Sequence, residues 1–112
     1  MEEWVIFKSL KTVDILVSSY GNVKSINKNG VERYISLYKR GGKRNQYLCF
    51  GYRYNGKKIL INIHSAVALS FLGEKPSDKH QVDHIDNNPE NNNVVNLRWL
   101  TDVENGKKGN SI

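Results

Sequence analysis

Apolar and polar positions alternate with a period of about two over much of the first half of the chain, a pattern typical of half-buried β-strands. Residues 15–17 are apolar, residues 18–22 have the composition of a turn, and residues 23–26 resume the alternation. Asn29-Gly30 is a tight-turn dipeptide, after which residues 31–38 can return as a strand. This part of the chain therefore predicts antiparallel β hairpins.

The clearest hairpin lies over residues 46–63. Asn55-Gly56 supplies a two-residue turn between two alternating segments. Large apolar side chains fall on one face of each predicted strand. They are Leu48, Phe50, Tyr52 and Tyr54 before the turn, and Ile59, Ile61 and Ile63 after it. This apolar face is expected to pack in the core.

The pattern then changes to a helical one. Residues 64–72 are too densely apolar for a half-exposed strand, so they predict a short buried helix. Gly73 is expected to end this helix and Pro76 to keep it from resuming. His64 is interpreted as a histidine at the helix start.

The last third of the chain predicts strand, loop, strand and helix in that order. Residues 82–85 and 97–100 have strand character, and the loop between them is crowded with residues that form Asx turns. Thr101 and Glu104 match a helix-capping box, so a helix is expected to start at about Asp102. The expected fold class is α+β, with N-terminal antiparallel β hairpins and a short helix followed by a ββα motif.

Positive charge is concentrated in the first half of the chain. The net charge is +6 overall; residues 1–60 carry twelve Lys or Arg and four Asp or Glu, whereas residues 61–112 carry five and seven. This asymmetry favours a first half that grips phosphates and a second half that holds a cation. We therefore expect a β-rich, DNA-contacting lobe over residues 1–63 and the ββα motif over residues 64–112, joined in one compact unit.

Two clusters of cations are the candidate DNA-binding residues. One surrounds Gly41-Gly42, and the other lies at the end of the 46–63 hairpin. Their members are Lys39, Arg40, Lys43, Arg44, Arg53, Lys57 and Lys58. The alternative interpretation is a solvated hairpin tip, and phosphate contacts alone do not distinguish DNA from RNA.

Asp83, His84 and Asn105 carry the candidate chemistry. A carboxylate oxygen and an amide oxygen on facing elements can hold a hard divalent cation with open water positions, and all-oxygen ligation favours Mg²⁺ or Mn²⁺ over zinc. Histidine, whose ordinary pKa is near 6.5, is the natural base at neutral pH. Taken alone, His84 would be interpreted as a surface histidine beside a turn. Asp83 before it and Asn96 and Asn105 after it reverse that interpretation. The single cysteine, Cys49, excludes an internal disulfide and is interpreted as a packing residue.

The segment from His64 to Asn105 resembles the HNH (ββα-metal) endonucleases of phages and homing introns. Three matches carry the resemblance, in the family's order and spacing. They are Asp83-His84-Ile85-Asp86-Asn87-Asn88, Asn96-Leu97-Arg98-Trp99 and Thr101-Asp102-Val103-Glu104-Asn105. Ser65 departs from the family's usual Arg, and Asn87 from its usual Gly. The first 25 residues resemble the small module that often precedes such domains.

The resemblance implies a role for each matching residue. Asp83 and Asn105 would be the ligands of one Mg²⁺ or Mn²⁺ ion per chain. His84 would be the general base that takes a proton from the attacking water. Asn96 would brace the loop and help orient His84, and is counted with His84 as catalytic.

The implied function is hydrolysis of DNA phosphodiester bonds by a homing-type or phage HNH endonuclease. The alternative is a DNA-binding module that keeps the fold without the activity. The expected partner is DNA, with no membrane, and the chain would act as a monomer or a homodimer. A cytoplasmic setting is the default expectation, because the sequence shows neither a secretory leader nor a run of ~18 apolar residues. The resemblance implies a phage or mobile-element protein in a bacterial host.

Overall fold

The structure is a computed structural model that describes residues 1–41 and 46–104. Within these ranges the chain forms three antiparallel sheets of four, three and two strands, with one short helical segment between the second and the third. The α+β class and the hairpin architecture predicted from the sequence are confirmed. No helix in the described part of the chain is long and apolar enough to cross a membrane.

The first sheet has its strands in sequence order. They are β1 (Trp4–Ser9), β2 (Val13–Ser18), β3 (Val23–Asn27) and β4 (Glu32–Tyr34). The strand expected over residues 31–38 is not continuous, because Ile35 and Leu37 turn to pack against the core between β4 and the next strand. The chain thereby leaves the first sheet and enters the second.

The second sheet consists of β5 (Tyr38–Gly41), β6 (Gln46–Tyr54) and β7 (Lys57–Asn62). The Asn55-Gly56 turn has positive φ at both residues, 52° and 74°, as a two-residue hairpin turn requires. The predicted hairpin is therefore confirmed, with two differences: the return strand ends at Asn62, since Ile63 begins the helix that follows, and Tyr54 at the hairpin end is exposed and does not pack in the core.

A short helical segment follows the hairpin directly. Helix α1 (Ile63–Val67) continues into a π-helical turn, Ala68–Leu72, and Gly73 ends it with a φ of 88°. The apolar composition that predicts this helix is explained by its position in the core, because Ile63, Ala66, Val67 and Ala68 are fully buried. Leu69 is half-exposed.

The third sheet pairs β8 (His80–His84) with β9 (Leu97–Thr101). A 3₁₀ turn, Val94–Asn96, ends the connecting loop. Residues 102–104 are helical, and Thr101 and Glu104 form the predicted capping box: Thr101 Oγ1 accepts from Glu104 N at 3.2 Å, while Glu104 Oε1 accepts from Thr101 N at 3.1 Å.

One apolar core joins these elements. Its buried members come from the first sheet, the second sheet, α1 and β9. They are Ile15, Val17, Val23, Phe50, Ile63, Ala66, Val67 and Leu97. Because α1 packs between the sheets, the third sheet is held against the β-rich part of the chain, and this packing fixes the position of the candidate site.

Candidate active site

A solvent-open cleft of about 670 Å³ lies where β8 and β9 meet α1 and the start of β6. Histidines, a carboxylate, a lysine and aromatic side chains line it. They include Tyr47, His64, Lys75, Asp83, His84 and Trp99. The structure therefore brings Asp83 and His84 into one cleft, although successive residues of a regular strand point to opposite faces.

Asp83 is a largely buried carboxylate with a cationic neighbour on the adjacent strand. Asp83 is 7% exposed, and Arg98 Nε donates a hydrogen bond to its Oδ2 at 3.0 Å. Asp83 on β8 and Arg98 on β9 are register partners, so the sheet itself sets this ion pair. The pair fixes the position of this carboxylate at the edge of the cleft.

His84 is held from several sides. It is 8% exposed, and its Nε2 lies 2.8 Å from Asn92 Oδ1. The Tyr47 ring stacks on it with centroids 6.3 Å apart, and the His64 ring meets it edge-on at 5.2 Å. Packing and a hydrogen bond fix the orientation of this ring, and a fixed orientation suits a group that transfers a proton to or from a bound molecule.

His64 is more than a helix-start residue, because its ring forms part of the cleft wall. Burial, with a smaller contribution from the charge on His84, lowers the pKa of His64 to about 4. Its Nδ1 is buried without a hydrogen-bond partner among the described residues. The ring is therefore neutral at neutral pH, and Tyr47 packs against it at 4.9 Å.

Asn96 fixes the loop that follows His84. Its Nδ2 donates to Asp86 Oδ1 and to the Asn91 carbonyl, both at 2.9 Å, and its Oδ1 accepts from Asp86 N at 3.0 Å. Hydrogen bonds from Asn91, from the Asn88 backbone and from Asn96 lower the pKa of Asp86. The hydrogen bond from the loop to the His84 ring is made by Asn92, a residue that the sequence interpretation did not single out.

The donor chemistry of the cleft fits a hard cation. The Asp83 carboxylate supplies one oxygen ligand, and such oxygens suit Mg²⁺ or Mn²⁺. The second predicted ligand, Asn105, lies outside the described residues. Across residues 1–41 and 46–104, no three His, Cys, Asp or Glu side chains form a closed metal cluster.

The predicted DNA-binding cations divide into two places. Lys39 and Arg40 lie on exposed β5, where Lys39 Nζ is 3.6 Å from Oε1 of Glu90 in the loop between β8 and β9. Arg53, Lys57 and Lys58 are exposed at the far end of the β6–β7 hairpin. Arg53 follows Tyr47 by six residues of strand, which places it about 20 Å from the cleft. Lys43 and Arg44 lie outside the described residues.

Four residues of the site have contacts that the sequence interpretation missed: Tyr47, His64, Asn92 and Arg98. Each contact joins positions distant in the chain. The position of Arg98 directly opposite Asp83 follows from pairing the two predicted strands, so that signal was available. The stacking of Tyr47 and His64 on His84 depends on how α1 packs, which local patterns do not report.

Comparison with known proteins agrees with this geometry. Residues 62–107 match the family model described as HNH endonuclease. Two uncharacterized HNH endonucleases of Acanthamoeba polyphaga mimivirus are similar to the chain. One is 41% identical over 59 residues, 53% of this chain and 18% of the relative, and the other is 37% identical over 94 residues, 80% of this chain and 21% of the relative.

A solved structure is similar over almost the whole chain. It is a structure of the HNH homing endonuclease I-HmuI that concerns DNA binding and cleavage by that enzyme. The two structures match with a TM-score of 0.78 and 31% sequence identity, over 97% of this chain and 58% of I-HmuI. The chain thus spans about a fifth of the length of the curated relatives it matches. The resemblance predicted from the motifs is confirmed: residues 62–107 match the HNH endonuclease family model, and the chain is similar to HNH endonucleases in sequence and in structure.

Proposed function

We propose that this chain is the catalytic part of a metal-dependent DNA endonuclease of the homing type, which hydrolyses phosphodiester bonds. The observation that carries the proposal is the placement of Asp83 and His84 together in one open cleft, each held by a specific partner. Activating a water molecule next to a bound cation requires at least a ligand for the cation, here a carboxylate, and a base for the proton, here a fixed imidazole.

His84 would be the general base. Its ring is held by Asn92, Tyr47 and His64, so it can accept the proton of a water molecule without reorienting. The proton passes from water to the ring as the water oxygen attacks phosphorus and the bond from phosphorus to the 3′ oxygen breaks. The leaving 3′ oxygen takes up a proton from solvent water. The products are a 5′-phosphate and a 3′-hydroxyl end.

Asp83, with Asn105 as the second ligand implied by the resemblance, would hold one Mg²⁺ or Mn²⁺ ion. When bound, the ion would stabilise the negative charge that develops on the phosphate and on the leaving oxygen. Arg98 would orient Asp83 through the bond to Oδ2. Asn96 would act on the site through the loop, by holding Asp86 and the Asn91 carbonyl.

DNA would be bound mainly through its phosphates. Lys39 and Arg40 lie near the loop between β8 and β9. Arg53, Lys57 and Lys58 lie about 20 Å from the cleft, at the end of the β6–β7 hairpin. That spacing lets the two groups contact phosphates separated by several base pairs. Because one centre would cut one strand at a time, the chain would nick DNA as a monomer or cut both strands as a homodimer.

The experiment is conversion of supercoiled plasmid, with Mg²⁺ or Mn²⁺, by wild type, by wild type with EDTA, and by Asp83→Asn. Asp78→Asn is the matched control, because Asp78 is an exposed carboxylate away from the cleft. A plasmid library with random inserts supplies many candidate target sites.

We expect wild type and Asp78→Asn to yield nicked or linear DNA, and EDTA or Asp83→Asn to prevent it. A protein that retards DNA in a gel but never cuts, with either metal, would contradict the proposal and support a binding module without activity. Cleavage of RNA in preference to DNA would overturn the choice of substrate.

A further inference from the structure

We propose that Asn92 is a positioning residue that fixes the tautomer of His84, and that the 18–22 turn of the first sheet holds Asn92 in place. The inference rests on the proposed function in that it gives His84 the role of general base. It assigns to the N-terminal β module a part in the catalytic centre, besides any contact it makes with DNA.

The first step is the hydrogen bond between Asn92 and His84. Asn92 is 4% exposed, and its Oδ1 lies 2.8 Å from His84 Nε2. An amide oxygen only accepts hydrogen bonds, so Nε2 must carry the proton and donate. A neutral imidazole carries one ring proton, which leaves the lone pair on Nδ1. Nδ1 is therefore the atom that takes the proton from water.

The orientation of the amide decides this assignment. Exchanging the oxygen and nitrogen of Asn92 would make Nδ2 the donor to Nε2, move the ring proton to Nδ1, and remove the lone pair from that atom. The two orientations therefore predict opposite tautomers of His84. This difference can be measured without DNA and without metal.

The second step is the contact between Asn92 and the first sheet. Gly21, with φ of 87°, lies so close to Asn92 that a Cβ on Gly21 would be 2.9 Å from Asn92 Cβ and 3.1 Å from the Asn92 carbonyl oxygen. Two residues on, Val94 N donates to the Ser19 carbonyl at 2.8 Å. The turn thus contacts the backbone on both sides of residue 93.

The third step is the rigidity of the turn itself. Ser18 is fully buried, and its Oγ accepts from Tyr20 N at 3.2 Å and from Asn22 N at 3.0 Å. Ser19 N donates to the Glu3 carbonyl at 2.8 Å, which ties the turn to the start of β1. A turn fixed in this way can hold Asn92, and Asn92 in turn holds the His84 ring.

The matched variants are Gly21→Ala and Gly30→Ala. Both glycines have positive φ, 87° and 80°, so both alanines are strained in the backbone, but a Cβ on Gly30 meets nothing within 4 Å. Gly21→Ala therefore adds one effect that Gly30→Ala lacks, displacement of Asn92. Asn92→Leu removes the acceptor with a side chain of similar shape, and Asn92→Asp keeps it.

The experiment measures three quantities for each variant: the tautomer of His84 by long-range ¹⁵N–¹H NMR at a pH where the ring is neutral, kcat and KM for DNA cleavage, and the thermal unfolding midpoint. We expect the wild-type proton on Nε2. We expect Asn92→Leu and Gly21→Ala to mix the tautomers and to lower kcat about 10- to 100-fold with little change in KM, the size typical of lost outer-shell partners.

Asn92→Asp should retain the wild-type tautomer and much of kcat, and Gly30→Ala should change only the unfolding midpoint. A wild-type proton on Nδ1, or an Asn92→Leu variant with wild-type kcat, would overturn the role of Asn92. Equal effects of Gly21→Ala and Gly30→Ala on the tautomer would overturn the role of the turn. If wild type does not cleave DNA but the tautomers respond as expected, the endonuclease proposal fails and the link from the turn to His84 stands.

Discussion

The loop between β8 and β9 and the turn between β6 and β7 both connect neighbouring antiparallel strands, but they are held in different ways. The first is fixed by side chains, with Asn96 alone making three hydrogen bonds to Asp86 and Asn91. The second is fixed by its backbone conformation, with positive φ at Asn55 and Gly56 and exposed cations around it. The candidate catalytic region therefore requires one conformation, whereas the hairpin end needs only its charge and position.

If this comparison is right, changes near the β8–β9 loop should cost stability or turnover in large steps. Changes at the β6–β7 end should be small and sensitive to salt.

The largest effect on stability concerns protonation of His64. Its pKa is about 4 in the folded protein and 6.5 in the unfolded chain. Between these values the unfolded chain binds more protons, so the free energy of unfolding falls as the pH falls from 6.5 to 4, and the full contribution is present above 6.5. The loss amounts to about 3 kcal/mol. Chemical denaturation across this range should show a weaker pH dependence for His64→Phe than for wild type. Identical pH dependence would contradict burial of His64 in neutral form.

The next effect concerns Asn96. Asn96→Ala removes three hydrogen bonds and leaves polar groups of Asp86 and Asn91 to find new partners. We expect a loss of about 2 kcal/mol in the free energy of unfolding. Asn88→Ala is the control, since Asn88 is exposed and its side chain accepts one bond, from Glu90 N at 3.0 Å. Equal losses for the two variants, measured by urea denaturation, would show that the loop is not held by Asn96.

A smaller effect is expected just beyond β9. Thr101→Ala removes the oxygen that accepts from Glu104 N at 3.2 Å, a helix cap worth about 1 kcal/mol. The variant should unfold at lower urea with an unchanged slope. A loss as large as that of Asn96→Ala would mean that the capping box, and not the loop network, determines the stability of the motif.

The smallest effect is expected at the end of the β6–β7 hairpin. Lys57→Ala and Lys58→Ala should each weaken DNA binding a few-fold for all sequences, and lower the slope of log affinity against log salt by about 1, because each loses one phosphate contact. Fluorescence anisotropy over a salt series measures both quantities, and kcat should stay unchanged. A loss confined to particular DNA sequences would instead indicate that these lysines contact bases.

Local patterns predicted the parts of the fold that short segments determine. Asn55-Gly56 predicted its hairpin, Thr101 and Glu104 predicted their capping box, and Gly73 predicted the end of the helical segment. The break in the strand expected over residues 31–38 could not be predicted in this way, since it depends on Ile35 and Leu37 reaching a core formed by distant elements.

In the candidate site, too, the sequence predicted the features that short segments determine and missed those that depend on tertiary packing. The Asp83–His84 pair was readable because the two residues are adjacent in the sequence and lie within a motif. The ring contacts that hold His84 could not be predicted, because Tyr47 and His64 come together with His84 only through tertiary packing. Asn92 was hidden in another way, since it stands among asparagines that all look like turn formers, and only its burial against Gly21 distinguishes it.

The most direct test of the central claim is single-turnover cleavage of a DNA substrate by His84→Ala, next to His80→Ala. Both histidines lie on β8, but the His80 ring is hydrogen-bonded to Ser77 away from the cleft. We expect His84→Ala to lower the cleavage rate about 10²- to 10⁴-fold, the usual contribution of a general base, while DNA binding persists and His80→Ala cleaves like wild type. Wild-type cleavage by His84→Ala would show that His84 is not the general base.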